Sequence, residues 1–171
     1  MARGDRLLGV YMEPFDKVVA EHGPVVLRVC RALLDPNDAD DAWSDTFLAA
    51  MRSYPDLRAH PDADRNVRGW LVTIAHRKSI DLLRARARAP QPTDCLPERV
   101  RIDGPEHLDD DLRRALLALA PKQRGAVVLH HIAGIPYAEV GLILGTSEAA
   151  ARRSAADGIA RLRTTYVKDA P

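Results

Sequence analysis

Arg152 and Arg153, in the run GTSEAAARR with Ser147 and Glu148, carry the most legible chemistry of this chain. A guanidinium presents parallel N–H donors that match the O6 and N7 edge of guanine, and a glutamate can accept from a cytosine amino group. That is the chemistry of reading a nucleic acid rather than of making or breaking bonds. A second basic set, Arg68, Arg77, Lys78 and Arg84, suits contacts to phosphates, which position a duplex without reading it. Arg77 and Arg84 also flank Asp81 at helical spacing, so a surface ion-pair ladder is the alternative for those two. A third set is acidic and aromatic: Asp41 and Asp45 with Trp43 and Phe47. Such a face fits a basic protein partner, although Trp43 and Phe47 are i, i+4 neighbours and can both serve a core.

Other titratable residues suggest no reaction. Asp38, Asp40, Asp41 and Asp45 crowd a helix start without His or Cys, which argues against a metal site. His130 and His131 are adjacent, point to different helix faces and lack a third ligand. Walker loops, nucleophile elbows, zinc-protease patterns and dinucleotide fingerprints are not found. The expectation is a protein that is not an enzyme, with no catalytic residues, no metal and no cofactor.

Charge is distributed in blocks that the net value of +1 conceals. Residues 35–64 carry two basic and eight acidic side chains, and residues 65–88 carry seven basic and one acidic. Residues 89–111 return to two basic and seven acidic, and residues 112–168 to nine basic and three acidic. Two cationic blocks between acidic ones suggest two surfaces for a polyanion, or solvated faces with no partner. With 171 residues and 46% apolar side chains, the chain can bury one core or two small ones. Its 5% aromatics and many Ala, Leu and Arg favour helices over a sheet sandwich. No run is long and apolar enough to span a bilayer, and MARGDRLLGV lacks the apolar stretch of a secretory signal, so a cytoplasmic location is expected. The two cysteines, Cys30 and Cys95, read as plain thiols rather than a disulfide framework.

Apolar residues recur at helical spacing over 15–34, with Gly23-Pro24 as an expected break. Asp38 is placed to cap a helix running to about Ser53, before a polar loop over 54–65. Asn66 then opens a helix with Val67, Trp70, Leu71, Ile74, Ala75 and Leu82 on one face. Residues 90–107 hold four prolines and no sustained apolar period, as a linker would. Helices follow over 108–120, closed by Pro121, and over 122–132. Finally, Pro136 opens a short helix, Gly145-Thr146 makes a turn, and Ser147 caps a last helix with Ala151, Ala155, Ile159 and Leu162 inward. Two helices across a tight glycine turn form a helix-turn-helix, whose second helix enters the major groove. Gly158 should weaken that helix by about 1 kcal/mol relative to Ala.

These motifs resemble, in order and over nearly the whole chain, the extracytoplasmic-function RNA polymerase sigma factors of the sigma-70 family. The run FDKVVAEHGPVVLRVCRALLDPNDADDAWSDTFLAAMR looks like the opening of region two, and WLVTIAHRKSIDLLR like its closing helix, which lies against the minus-ten element. LLALAPKQRGAVVLHHIAGIPYAEVGLILGTSEAAARR resembles region four, the reader of the minus-thirty-five element. The resemblance implies an all-α fold of two small helical domains: a region-two bundle over 1–89 and a region-four helix-turn-helix over 108–171, joined by the Pro-rich linker 90–107. It implies that Asp41, Trp43, Asp45 and Phe47 face core RNA polymerase. Arg68, Arg77, Lys78, Arg84, Ser147, Glu148, Arg152 and Arg153 would face promoter DNA. An anti-sigma factor is a further implied partner, with no membrane insertion, and the loop over 54–65 would help capture a melted base. The implied function is promoter-specific transcription initiation. The family often carries more basic residues beyond Arg153, where this chain has Ser154 and Asp157. A freestanding helix-turn-helix regulator is the alternative, and it leaves the acidic helix followed by a basic one unexplained.

Overall fold

The computed structural model of the chain describes residues 14–59, 66–88 and 110–166. All regular structure among them is helical: α1 Phe15–Leu33, α2 Pro36–Ala59, α3 Val67–Arg88, α4 Asp110–Leu117, α5 Pro121–Val127, α6 Tyr137–Leu144 and α7 Glu148–Tyr166. A π-turn, Val128–Ile132, continues α5.

In α1 the residues Val18, Val26, Val29 and Leu33 return to one side at helical spacing, and all are buried. The expected break at Gly23-Pro24 is absent, and Pro24 lies inside one continuous helix. Proline removes a single N–H. Here Pro24 and Ala20, whose carbonyl loses its partner, are both exposed, which leaves that carbonyl open to solvent. The Trp43 indole N–H donates to the Gly23 carbonyl at 3.0 Å and ties this point of α1 to α2.

The α2 start is capped by Asp35 rather than Asp38: the Asp35 carboxylate accepts the Asp38 N–H at 3.2 Å, and Pro36 sits in the first turn. The helix also outlasts its expected end near Ser53 and contains Pro55. Tyr54 explains the extension, because it is buried with its ring 5.2 Å from that of Phe15. Tertiary packing thus holds a segment that local rules assign to a loop. The rest of that expected loop, including His60, lies outside the described residues.

Asn66 caps α3 as expected, its side-chain oxygen accepting the Gly69 N–H at 3.1 Å. In the C-terminal half, α5 begins at Pro121 and the expected single helix over 122–132 widens at its end. The Ala133 N–H reaches back to the Val128 carbonyl at 3.0 Å, one residue further than in an α-helix. Gly145 closes α6 at φ +63°, a left-handed conformation suited to glycine, and the Ser147 hydroxyl accepts the Ala150 N–H at 3.2 Å to cap α7. Gly158 has a packing role that local propensity does not show. A Cβ there would stand 2.7 Å from Val127 Cγ2, so glycine lets α5 and α7 pack in contact.

The buried apolar residues of both halves form one contiguous cluster, with Leu33, Leu71, Leu116 and Leu129 fully enclosed. The α1 helix touches α4 and the π-turn. At the same junction the Asn66 amide donates to the Glu139 carboxylate at 3.0 Å. The two halves are therefore packed together in this structure. The expected linker over 90–107 and Cys95 lie outside the described residues.

Candidate functional site

The outward face of α2 carries Asp41, Asp45, Leu48 and Arg52 at i, i+4, i+7 and i+11, with Met51 beside them, all exposed. Trp43 and Phe47, expected on this face, do not belong to it. Phe47 is 6% exposed and meets Phe15 edge-on at 6.3 Å, while Trp43 is half-buried against Phe47 and bonded to Gly23. Aromatic area gains more inside the bundle than beside acids in water, and the i, i+4 spacing lets both rings turn inward together. The apolar part of the face falls instead to Leu48 and Met51, 50% and 52% exposed. The helical spacing of Leu48 with Asp41 and Asp45 is readable in the sequence, but only burial shows which apolar residues point out. Asp38 is drawn into the structure by Arg86, whose guanidinium bridges the Asp35 and Asp38 carboxylates at 2.7 and 2.5 Å. Burial and the neighbouring Asp35 push the Asp38 carboxyl up, and Arg86 opposes them. Among the described residues no His, Cys, Asp and Glu cluster could hold a metal ion.

The α3 helix divides its cations by role. Arg77 and Arg84 are exposed, and Arg84 lies 3.9 Å from Asp81 in a loose surface pair. Both line a shallow recess with Ile80, and Ile143 of α6 forms its other side. Lys78 is half-buried, on a different side of the helix. Arg68 stands at the junction, where a Cβ on Gly134 would come within 3.1 Å of its guanidinium. Arg86 is occupied by the two aspartates. Of the four cations expected from the sequence, Arg77 and Arg84 are the two exposed along one face.

His76 is half-buried at the same junction, beside Gly125, where a Cβ would lie 3.4 Å from its Nε2. Burial and then the charge of Arg124 lower it to about 4, so the imidazole is neutral. Burial pushes the Cys30 thiol up to about 11, which leaves it protonated and unreactive at neutral pH.

On α7, Ala151, Ala155 and Leu162 face inward as expected, and Arg152 and Arg153 are exposed. Ser147 is exposed, and its hydroxyl accepts the Ala150 N–H in the helix cap while keeping its own O–H as a donor. Glu148 pairs with Arg152 at 2.7 Å, so its carboxylate orients a neighbour. Tyr137, which the sequence reading passed over, lies under the Arg152 guanidinium, 5.1 Å from ring centroid to Cζ. Its signal is a tertiary one, since the ring sits on another helix.

Comparison with known proteins supplies a context for this geometry. Residues 18–89 match the Sigma-70 region 2 family, and residues 109–162 match Sigma-70, region 4. The chain is 31% identical over 169 residues to the ECF RNA polymerase sigma factor SigE of Mycolicibacterium smegmatis, covering 92% of this chain and 63% of that protein. It is 30% identical over 161 residues to the RNA polymerase sigma factor CarQ of Myxococcus xanthus, covering 88% of both. Among solved structures, CnrH in complex with the cytosolic domain of CnrY shares 26% identity at a TM-score of 0.65, covering 91% of this chain and 89% of that one. RpoE of Bartonella quintana, in complex with the anti-sigma factor NepR, shares the fold at a TM-score of 0.72 and 23% identity, covering 91% of this chain and 98% of that one.

Proposed function

We propose, from the premise that this chain belongs to the extracytoplasmic-function group of the sigma-70 family of RNA polymerase sigma factors, that it binds core RNA polymerase and directs promoter-specific initiation. One observation carries the reading. A single chain presents an acidic–apolar stripe on α2 and two separate exposed arginine pairs, Arg77 with Arg84 and Arg152 with Arg153.

The stripe of Asp41, Asp45, Leu48 and Met51 docks on a basic helical surface of the polymerase. Its carboxylates steer the encounter, and its two apolar side chains supply buried area. Arg77 and Arg84 bear on the phosphates near the minus-ten element, and α7 enters the major groove at the minus-thirty-five element. Strand separation needs no hydrolysis by this chain. Its cost is offset by binding phosphates and unstacked bases inside the holoenzyme. The role is thus one of binding and positioning, not of catalysis, and it is exercised in the cytoplasm. No described helix is long and apolar enough to cross a membrane.

The two halves must part to do this. Elements about 25 base pairs apart lie roughly 85 Å from one another along B-DNA, at 3.4 Å per pair. Halves in direct contact at Asn66 and Glu139 cannot serve both at once, so the packed form is the one free of promoter. The similar chains of known structure were solved with a bound protein partner, and an anti-sigma factor is the corresponding partner of this chain.

Retention on core polymerase tests the reading directly. The chain should co-purify with core and support run-off transcription from a selected promoter, and Asp45→Arg should lower core affinity while leaving the helical content intact. A freestanding regulator would not be retained on core. Unchanged affinity in Asp45→Arg would remove α2 as the docking face.

A further inference from the structure

His130, Tyr137 and Arg152 come from three different elements and form one continuous stack. The π-turn is what brings His130 into it. By widening the helix at Val128–Ile132 it carries the chain around so that the His130 Nδ1–H donates to the Ile135 carbonyl at 2.8 Å. A carbonyl only accepts, so this bond fixes both the tautomer and the plane of the imidazole. The ring then lies on Tyr137 at 3.7 Å between centroids and 19° between planes. The Tyr137 ring in turn lies under the Arg152 guanidinium at 5.1 Å, and Glu148 holds the same guanidinium from the side at 2.7 Å. Arg153, the next residue, has neither contact among the described interactions.

An exposed arginine ordinarily carries about 2 kcal/mol of rotamer entropy, which it loses on forking onto a base. Arg152 is 63% exposed and yet has its planar group supported from below and from the side. We propose that Tyr137, backed by His130, is a positioning residue for sequence readout, which orders Arg152 before DNA arrives. The π-turn is the structural device that makes this possible, in keeping with the frequent occurrence of π-bulges at functional sites. This rests on the assignment of α7 as the reader of the minus-thirty-five element. It goes beyond that assignment by giving Arg152 and Arg153 unequal roles: one is pre-ordered for a base edge, and the other is a mobile cation.

The test uses holoenzyme assembled with core polymerase. Binding is measured on the selected promoter and on single-base variants of its minus-thirty-five element, across a salt series. Tyr137→Leu should reduce discrimination about ten-fold at the base pair that Arg152 specifies, the scale of one desolvated cation–π contact. The salt slope should not change, because the number of phosphates neutralised is the same. Tyr137→Phe keeps the ring face and should restore discrimination. Combining Tyr137→Leu with Arg152→Ala should add nothing to Arg152→Ala alone.

Losses that multiply in the double variant, or a Tyr137→Leu loss equal on every promoter, would overturn the proposal in favour of a merely structural ring. If Arg152→Ala retains full discrimination, Tyr137 positions nothing that reads, while the sigma-factor reading survives through Arg153. Wild-type holoenzyme that shows no discrimination at all would sink both. A measurement on the unmodified protein guards against a variant that does not fold. The side-chain Nε–H of Arg152 should be ordered on the nanosecond timescale in NMR relaxation, and that of Arg153 mobile. Equal mobility would overturn the proposal.

Discussion

The helices α1–α3 and α4–α7 hold their cations in opposite ways. In the first half, Arg86 is spent on structure, bridging Asp35 and Asp38, while Arg77 and Arg84 stay exposed and loosely paired at most. In the second half, the exposed Arg152 is itself held, by Glu148 and Tyr137. The difference follows the work proposed for each. A phosphate is a large, smooth target that a mobile cation can meet from many directions. A base edge accepts one fork geometry, so there is an advantage in ordering the guanidinium beforehand. The same side-chain chemistry is tuned by its neighbours rather than by its type.

Four substitutions break or sharpen that contrast. The largest effect belongs to the shared core. Leu71→Ala removes a fully enclosed side chain from α3 and should cost about 2–5 kcal/mol in chemical denaturation. Because the buried cluster is contiguous, the transition should stay single, with both halves lost together. Two separated transitions would show the halves to be independent.

Acidification comes next, through His76 at the junction. Its folded value of about 4 lies below the unfolded value of 6.5, so between those limits the unfolded chain binds the proton and the native one refuses it. Stability contributed by the neutral imidazole is complete above pH 6.5 and is lost as the pH falls towards 4. About 2 kcal/mol should vanish by pH 4.5, and His76→Leu should remove that part of the slope. An identical pH profile in the variant would show that the junction does not bury this side chain in solution.

Smaller still is Arg153→Ala, which should weaken promoter-directed transcription by about 1–2 kcal/mol of binding without altering retention on core polymerase. Should core retention fall instead, α7 would belong to the docking surface and the two halves would exchange roles. Smallest is Arg84→Ala. Being 68% exposed, it should cost only a few tenths of a kcal/mol in stability, yet lower the salt slope of DNA binding by about one. An unchanged slope would take Arg84 off the phosphate path.

Much of this was legible in the residues themselves. The caps at Asn66 and Ser147, the turn at Gly145 and the inward Ala151, Ala155 and Leu162 follow from local chemistry, since capping, left-handed turns and a period of 3.6 are settled within a few residues. The order of the three motifs likewise carries the family resemblance without the fold. Where local rules failed, a distant contact had outweighed them. Pro24 did not break α1 and Pro55 did not end α2, because Trp43 and Tyr54 tie those helices to their neighbours.

By itself, then, the sequence determined most of the helices, where most of them begin, and which residue types gather in each charged block, for all of these are short-range properties. Tertiary structure alone decided the assignment of individual side chains. It turned Trp43 and Phe47 inward and left Leu48 and Met51 outside. It gave Arg86 to two aspartates, left Arg77 and Arg84 exposed at the surface, and laid Arg152 on a tyrosine from another helix. The physical reason is that a charge pattern fixes how many cations a helix offers, whereas their partners are set by which helices pack beside it and at what distance.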